Sequence, residues 1–311
     1  MNNKVIITDH LHPFLAEKLP ALGFQVDIVP DITNEELFKV IHEYVGLVLS
    51  TKILVTQQLI DKAAKLKFIA RAGSGMENID VQYAQSKNIH VVNSPDGNAN
   101  AVAEHALGML LSLLNNIVKA DRDIRNGIWQ REENRGEELD GKIIGIIGYG
   151  HTGSALAKKL SGFDVRILVY DKYKTGFSNK QVEETTLDKI QQFADIISFH
   201  VPHTTETHYY LNSNFINSCK KKFRLMNTSR GEIVNTGNFI GALQSGKILG
   251  AALDVFENEK FYTLHGDDKK NMETLILMDN VILTPHIAGW TKESYFNISK
   301  ILFNKIQILK I

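Results

Sequence analysis

Short β-branched runs alternate with amphipathic segments along nearly the whole chain, and this alternation restricts the fold more than any other feature. KVIITD, FQVDIVP, GLVLST, KFIARAG and IHVVNSP each lead into a stretch with helical spacing of apolar residues. Strands separated by helices pair in parallel rather than as hairpins, and the helices cover the sheet. From Asn98 the pattern changes: ANAVAEHALGMLLSLLNNIVKADRDIRNG reads as one long continuous helix, with Val102, Ala106, Met109, Leu113 and Ile117 at helical spacing. After a polar loop (REENRGEELDGK) a second series begins: KIIGIIGYG, RILVYD, DIISFHVP, FRLMNTSRG, ILGAALDVFE and NVILTPHIAG. The last segment, ESYFNISKILFNKIQILKI, is helical in period and is expected to return to the first series. The expectation is an α/β protein of two doubly wound parallel-sheet domains with a cleft between them. Residues 1–98 plus 286–311 would form a discontinuous first domain and 99–285 the second.

Length and charge agree with this picture and narrow the partners. At 311 residues the chain is twice the ~150 of a typical domain. Thirty-five basic residues balance 35 acidic ones. That balance provides no positive field for nucleic acid or an anionic membrane, so neither is expected as a partner. Cys219 is the single cysteine and cannot form an intrachain disulfide. MNNKVIITDH lacks the apolar core of a secretory signal, and GMLLSLL falls far short of a membrane span of ~18 residues. A cytoplasmic location is expected.

The chemistry first becomes legible at GKIIGIIGYGHTGSALAKKL. Gly148, Gly150 and Gly153 follow a strand and open a helix in G-x-G-x-x-G spacing, with His151 and Thr152 between them. The first glycine permits the tight turn, the second admits a pyrophosphate to the backbone, and the third allows helix and strand to pack. The phosphates would meet the N–H groups at the helix start. Asp171 ends the next strand 18 residues after Gly153, where a carboxylate can accept hydrogen bonds from both ribose hydroxyls. This selects NAD, although Lys172 and Lys174 follow closely and a nearby cation can accommodate a 2′-phosphate. The second domain is therefore read as a Rossmann NAD-binding domain, and the first as a flavodoxin-like substrate domain. His200, His203 and His208 cluster in sequence without an acidic or cysteine ligand set, so no metal is expected.

In order along the chain, GIIGYGHTG, HVPHTTETHYYLN, MNTSRGEIVN, GAALDVFENE and ILTPHIAG resemble the D-isomer-specific 2-hydroxyacid dehydrogenases. RAGSGMENID and the VAEH stretch ending at His105 are similar to the 3-phosphoglycerate dehydrogenase branch in particular. The resemblance implies Arg230, Glu259 and His286 as the catalytic group. Each type suits its task. A planar guanidinium holds the substrate carboxylate and polarises the carbonyl, an imidazole supplies the proton, and a carboxylate on the far ring nitrogen keeps that imidazole charged. The family usually places proline after this glutamate, whereas Lys260 stands here. The resemblance further implies cofactor contacts from His200, Val201, Pro202, Thr207, Thr228, Ser229 and Asp254, the last toward the nicotinamide carboxamide. Backbone amides of the 72–75 turn, at Ser74 and Gly75, would meet the substrate carboxylate, with Arg71 adding a side-chain contact. Glu104 is expected to be structural.

The implied activity is NAD-dependent interconversion of a D-2-hydroxy acid and its 2-keto acid. 3-Phosphoglycerate, and hence serine biosynthesis, heads the substrates, ahead of glycerate, glyoxylate or D-lactate chemistry. A homodimer through the nucleotide-binding domain is implied as well. An NAD(H)-sensing corepressor or scaffold is the alternative of another class. Formate oxidation pairs the histidine with glutamine, which Glu259 does not match.

Overall fold

The computed structural model describes residues 3–311, and Met1 and Asn2 of the amino-terminal run lie outside the described residues. The chain divides into two compact units, residues 1–99 with 290–311, and residues 100–289.

The first unit carries a parallel sheet of β1 (Lys4–Ile7), β2 (Gln25–Ile28), β3 (Gly46–Leu49), β4 (Phe68–Arg71) and β5 (His90–Asn93), ordered β2-β1-β3-β4-β5. β3 and β4 are buried throughout, as strands covered on both faces must be. Side chains at Thr33, Thr56 and Asp80 cap the intervening helices by accepting from backbone N–H groups. The closing helix Lys292–Leu309 buries Leu302 and Ile306 among Val5, Ile7, Leu15 and Phe68.

The second unit carries β6 (Ile143–Ile147), β7 (Arg166–Tyr170), β8 (Val182–Glu184), β9 (Ile196–Phe199), β10 (Phe223–Asn227), β11 (Ile248–Leu253) and β12 (Val281–Leu283). Its order is β12-β11-β10-β9-β6-β7-β8, all parallel. The two sheets have the strand orders of flavodoxin-like and Rossmann folds, in agreement with the alternation of the sequence. Register then does something the alternation alone does not reveal. Ile147 pairs with both Tyr170 and Phe199, Phe199 with Asn227, Asn227 with Leu253, and Leu253 with Leu283. The next residue of each strand, namely Gly148, Asp171, His200, Thr228, Asp254 and Thr284, therefore emerges level with the others along one edge.

Four local features differ from the sequence expectation. The long helix is broken: Ala99–Leu114 and Ile117–Arg125 are separate, bent by 63°, with Asn116 left-handed at φ 52° between them. Asparagine adopts that conformation more readily than most residues, and the Asn115 side chain donates to Leu111 O beside it. Ile117 consequently leaves the buried face that Val102, Ala106, Met109 and Leu113 share and is exposed. Edge strand β8 (VEE) was not anticipated, because two of its three residues are glutamates. The polar run after Glu259 contains the helix Gly266–Ile276, anchored by buried Met272 and Leu275. Finally, residues 286–289 group with the second unit rather than the first, for a reason found in the hydrogen bonds of Asp254.

Candidate active site

At the cofactor edge the glycines divide their tasks by space. Gly148 has φ +98°, and a Cβ there would lie 2.4 Å from His200 O. A Cβ on Gly153 would lie 2.0 Å from Gly148 O, so this turn closes only on hydrogen atoms. Around Gly150, the cap of helix His151–Leu160, an added Cβ would meet nothing within 4 Å. The backbone is thus open to a ligand at the start of this helix, the positive end of its dipole.

Asp171 borders this turn. Its Oδ2 accepts from Tyr149 N at 2.7 Å, and its Oδ1 from Tyr173 N and Lys174 N at 2.9 and 3.0 Å. Burial alone would raise its pKa. The three backbone donors and the Lys174 charge outweigh that and hold it below the ordinary aspartate value. The carboxylate remains partly exposed, with acceptor capacity beyond these bonds. Thr228 Oγ1, on the same strand-end edge, is buried without a hydrogen-bond partner. Open space at Gly150, a helix start, an ionised Asp171 and an orphaned hydroxyl together fit a dinucleotide.

Other expected cofactor residues take places that the motifs do not reveal. The His200 imidazole is 7% exposed and bridges Ser198 Oγ (2.8 Å) to Thr152 Oγ1 (3.2 Å), with its pKa pushed down to about 4 by burial. It props the helix start as a neutral ring, and its backbone carbonyl lies against Gly148. Val201 packs against the core. Thr207 Oγ1 donates to Pro202 O at 2.6 Å and accepts from Thr204 N at 2.8 Å, which fixes the exposed loop after β9. Ser229 donates to Asn227 Oδ1 through its N–H and its hydroxyl. His203 and His208 approach at 3.2 Å, and among the described residues no three metal-ligating side chains converge.

The catalytic candidates assemble at the ends of β10, β11 and β12. Arg230 follows β10 and donates to Ser229 O, while fully buried Asn227 donates to Arg230 O and so braces the turn. A Cβ on Gly231 would lie 1.8 Å from Phe256 O, so glycine lets this turn press onto the chain leaving β11. Asn227 and Gly231 were not among the sequence candidates, although both belong to the run MNTSRG that flagged Arg230.

Asp254, 1% exposed, accepts from Thr284 Oγ1 at 2.6 Å, Ile287 N at 2.9 Å and Ala288 N at 2.8 Å, and its backbone carbonyl accepts from His286 N at 2.8 Å. These bonds tie residues 286–288 to the second unit. They also hold His286 at φ 54°, a conformation non-glycine residues seldom adopt. The visible task of Asp254 is this clamp. His286 Nδ1 meets Glu259 Oε2 at 2.8 Å, both groups being about half exposed. That hydrogen bond raises the His286 pKa. Burial opposes it, the charges of Glu259 and Asp254 add to it, and nearby Arg230 subtracts. Beyond Glu259, Lys260 N is held by Asn258 Oδ1 at 3.1 Å, so the loop turns here without proline.

In the first unit, Gly73 N donates to Ser94 Oγ. Among the described residues, the N–H groups of Ser74, Gly75 and Met76 donate to no protein acceptor, which leaves a small nest of donors at the end of β4. Arg71 is 9% exposed and donates to Ala72 O, with its guanidinium against Gly73 of the turn. Glu104 pairs with Lys159 at 2.8 Å across the second unit.

A G-x-G-x-x-G turn beside an acid-capped strand, and an Arg, a Glu and a His after neighbouring strands, thus stand on one sheet. The family model of the D-isomer specific 2-hydroxyacid dehydrogenase NAD binding domain matches residues 107–288, and the chain belongs to that family. It is 37% identical over 294 residues to a D-3-phosphoglycerate dehydrogenase of Methanocaldococcus jannaschii, covering 94% of this chain and 54% of that protein. It thus spans about half the length of the phosphoglycerate dehydrogenases it matches. A glyoxylate reductase of Pyrococcus furiosus is 36% identical over 300 residues, 90% of this chain and 87% of that one. Among solved structures, the D-lactate dehydrogenase of Aquifex aeolicus with NAD and lactic acid superposes with a TM-score of 0.84 at 29% identity, covering 99% and 95% of the two chains.

Proposed function

We propose that this protein reduces a small 2-keto acid to the D-2-hydroxy acid, and catalyses the reverse, with NAD as its cofactor. The observation that carries the reading is the 2.8 Å contact of His286 Nδ1 with Glu259, beside Arg230 and on the strand-end edge that carries the dinucleotide turn. NADH, when bound, supplies the hydride. Arg230 holds the carboxylate and draws electron density from the carbonyl. His286 keeps Nδ1 on Glu259, so its proton for the nascent alkoxide leaves from Nε2. The amides of Ser74 and Gly75 offer the carboxylate further donors. Cofactor contacts are assigned to Gly150, Thr152, Asp171 and Thr228.

3-Phosphohydroxypyruvate, and with it serine biosynthesis, is supported by the phosphoglycerate dehydrogenase relatives. Glyoxylate is the second reading, supported by the relative that matches most of its own length. Ile117, Val118, Ile124, Ile128 and Trp129 form an exposed apolar run on and after the helix Ile117–Arg125, which supports a homodimer through this unit. Among the described residues no single helix is long and apolar enough to cross a membrane. Cys219 is buried, and its thiol is pushed up to about 11 by that burial.

The test follows NADH absorbance with 3-phosphohydroxypyruvate, hydroxypyruvate, glyoxylate and pyruvate, each repeated with NADPH. Arg230→Ala and His286→Ala should remain folded and lose about 100- to 10,000-fold in kcat, the usual worth of a general acid. No turnover of any acid, or full turnover by both variants, would overturn the reading and favour an NAD(H)-sensing scaffold.

A further inference from the structure

The VAEH motif singled out in the sequence has no task in the chemistry above, and its histidine lies against the catalytic turn. His105 projects from the helix Ala99–Leu114, with Nε2 3.0 Å from Thr284 Oγ1 and 3.7 Å from Asp254 Oδ1. Met109, four residues on and so on the same face, places Sδ 3.7 Å from the same hydroxyl. Thr284 Oγ1 lies 2.6 Å from Asp254 Oδ1. A carboxylate has no hydrogen to give, so the single hydroxyl hydrogen points to Asp254 and the oxygen's lone pairs face His105. His105 must then donate, which fixes its proton on Nε2. The resulting chain runs from His105 through Thr284 to Asp254, and from Asp254 to the N–H groups of Ile287 and Ala288 that bracket His286.

We propose that His105 is a positioning residue for catalysis: by orienting the Thr284 hydroxyl it completes the donor set of Asp254 and keeps the His286 turn in its left-handed conformation. The proposal rests on His286 acting as the proton donor. The imidazole occupies the lone-pair side of Thr284 Oγ1; without it the hydroxyl can also turn its hydrogen to Met109 Sδ, 3.7 Å away, and in that rotamer Asp254 keeps only the two amides. Hydrogen bonds to charged acceptors are the strong ones, and a buried carboxylate short of one donor repacks its surroundings to recover it.

Three variants and one spectroscopic measurement test this. His105→Leu should lower kcat about tenfold, equivalent to ~1.4 kcal/mol of barrier, with KM for NADH within about twofold. His105→Gln, whose amide can still donate, should restore most of the loss. Thr284→Val should match His105→Leu, and the double variant should be no worse than either, because both break one chain. Wild-type kcat in His105→Leu, or losses that multiply in the double variant, would overturn the proposal. In ¹⁵N-histidine spectra of the whole protein, a protected His105 Nε2 proton should be present and should vanish in Thr284→Val. Its absence from the wild type sinks the proposal even if no substrate has been found, whereas its presence in an inactive protein would count against the reductase reading alone.

Discussion

Asp171 and Asp254 both end parallel strands of one sheet, both stand level on the same edge, and each accepts three hydrogen bonds from groups near it. Their surroundings separate their uses. Asp171 lies on an open shoulder, where its backbone donors keep it ionised and leave room for a ligand hydroxyl. Asp254 is closed off at 1% exposure, and its bonds shape the turn that presents His286. The same residue type at the same register position is thus open to solvent in one strand and enclosed as a clamp on a turn in the other. Solvent access to the carboxylate decides between the two.

Substituting Asp254 should therefore do the greater damage. Asp254→Ala strands the amides of Ile287 and Ala288, each at a cost of about 1–3 kcal/mol, and should lower kcat and Tm together. A thermal unfolding scan should show a drop of roughly 2–4 °C per kcal/mol for a unit of this size. An unchanged Tm with reduced NADH affinity would instead make Asp254 a ligand contact like Asp171.

Glu259→Gln comes next. The carboxylate raises the His286 pKa, so the charged imidazole that reduction requires persists to higher pH, and the rate falls as pH rises through that raised value. Removing the charge should shift this falling limb of the kcat profile to lower pH. A limb that stays in place would show that another group controls it.

Asp171→Asn should be mildest for turnover. About a tenfold rise in KM for NADH, or ~1.4 kcal/mol, is expected with kcat unchanged at saturation. NADPH should gain relative to NADH, because Lys174 stays beside the site while the repelling charge is gone. A fall in kcat without a change in KM would erase the distinction between the two aspartates.

The catalytic trio illustrates what could be read in advance. Arg230, Glu259 and His286 were candidates through a resemblance carried by the short runs NTSRG, DVFENE and TPHIAG, and the fold sets the last two 2.8 Å apart. With Lys260 in the usual proline's place, Asn258 supplies the loop contact beside Glu259 locally, which the sequence did not reveal. His105 was visible only as part of a motif, because its partners Thr284 and Asp254 lie far along the chain. The orientation of His200 was not legible, because burial turns the ring inward to Ser198 and Thr152.

By itself the sequence determined the two parallel sheets, the dinucleotide turn and the candidate side chains that follow the strands. Each of these depends on local spacing: strand–helix alternation, glycines three and two apart, and charged residues directly after apolar runs. Tertiary structure decided the rest. Strand register aligned Gly148, Asp171, His200, Thr228, Asp254 and Thr284 on one edge, burial separated the enclosed Asp254 from the open Asp171, and Asn116 broke the long helix. Register and burial arise from contacts between residues tens to hundreds of positions apart, and no local pattern encodes which of two aspartates will be reached by water.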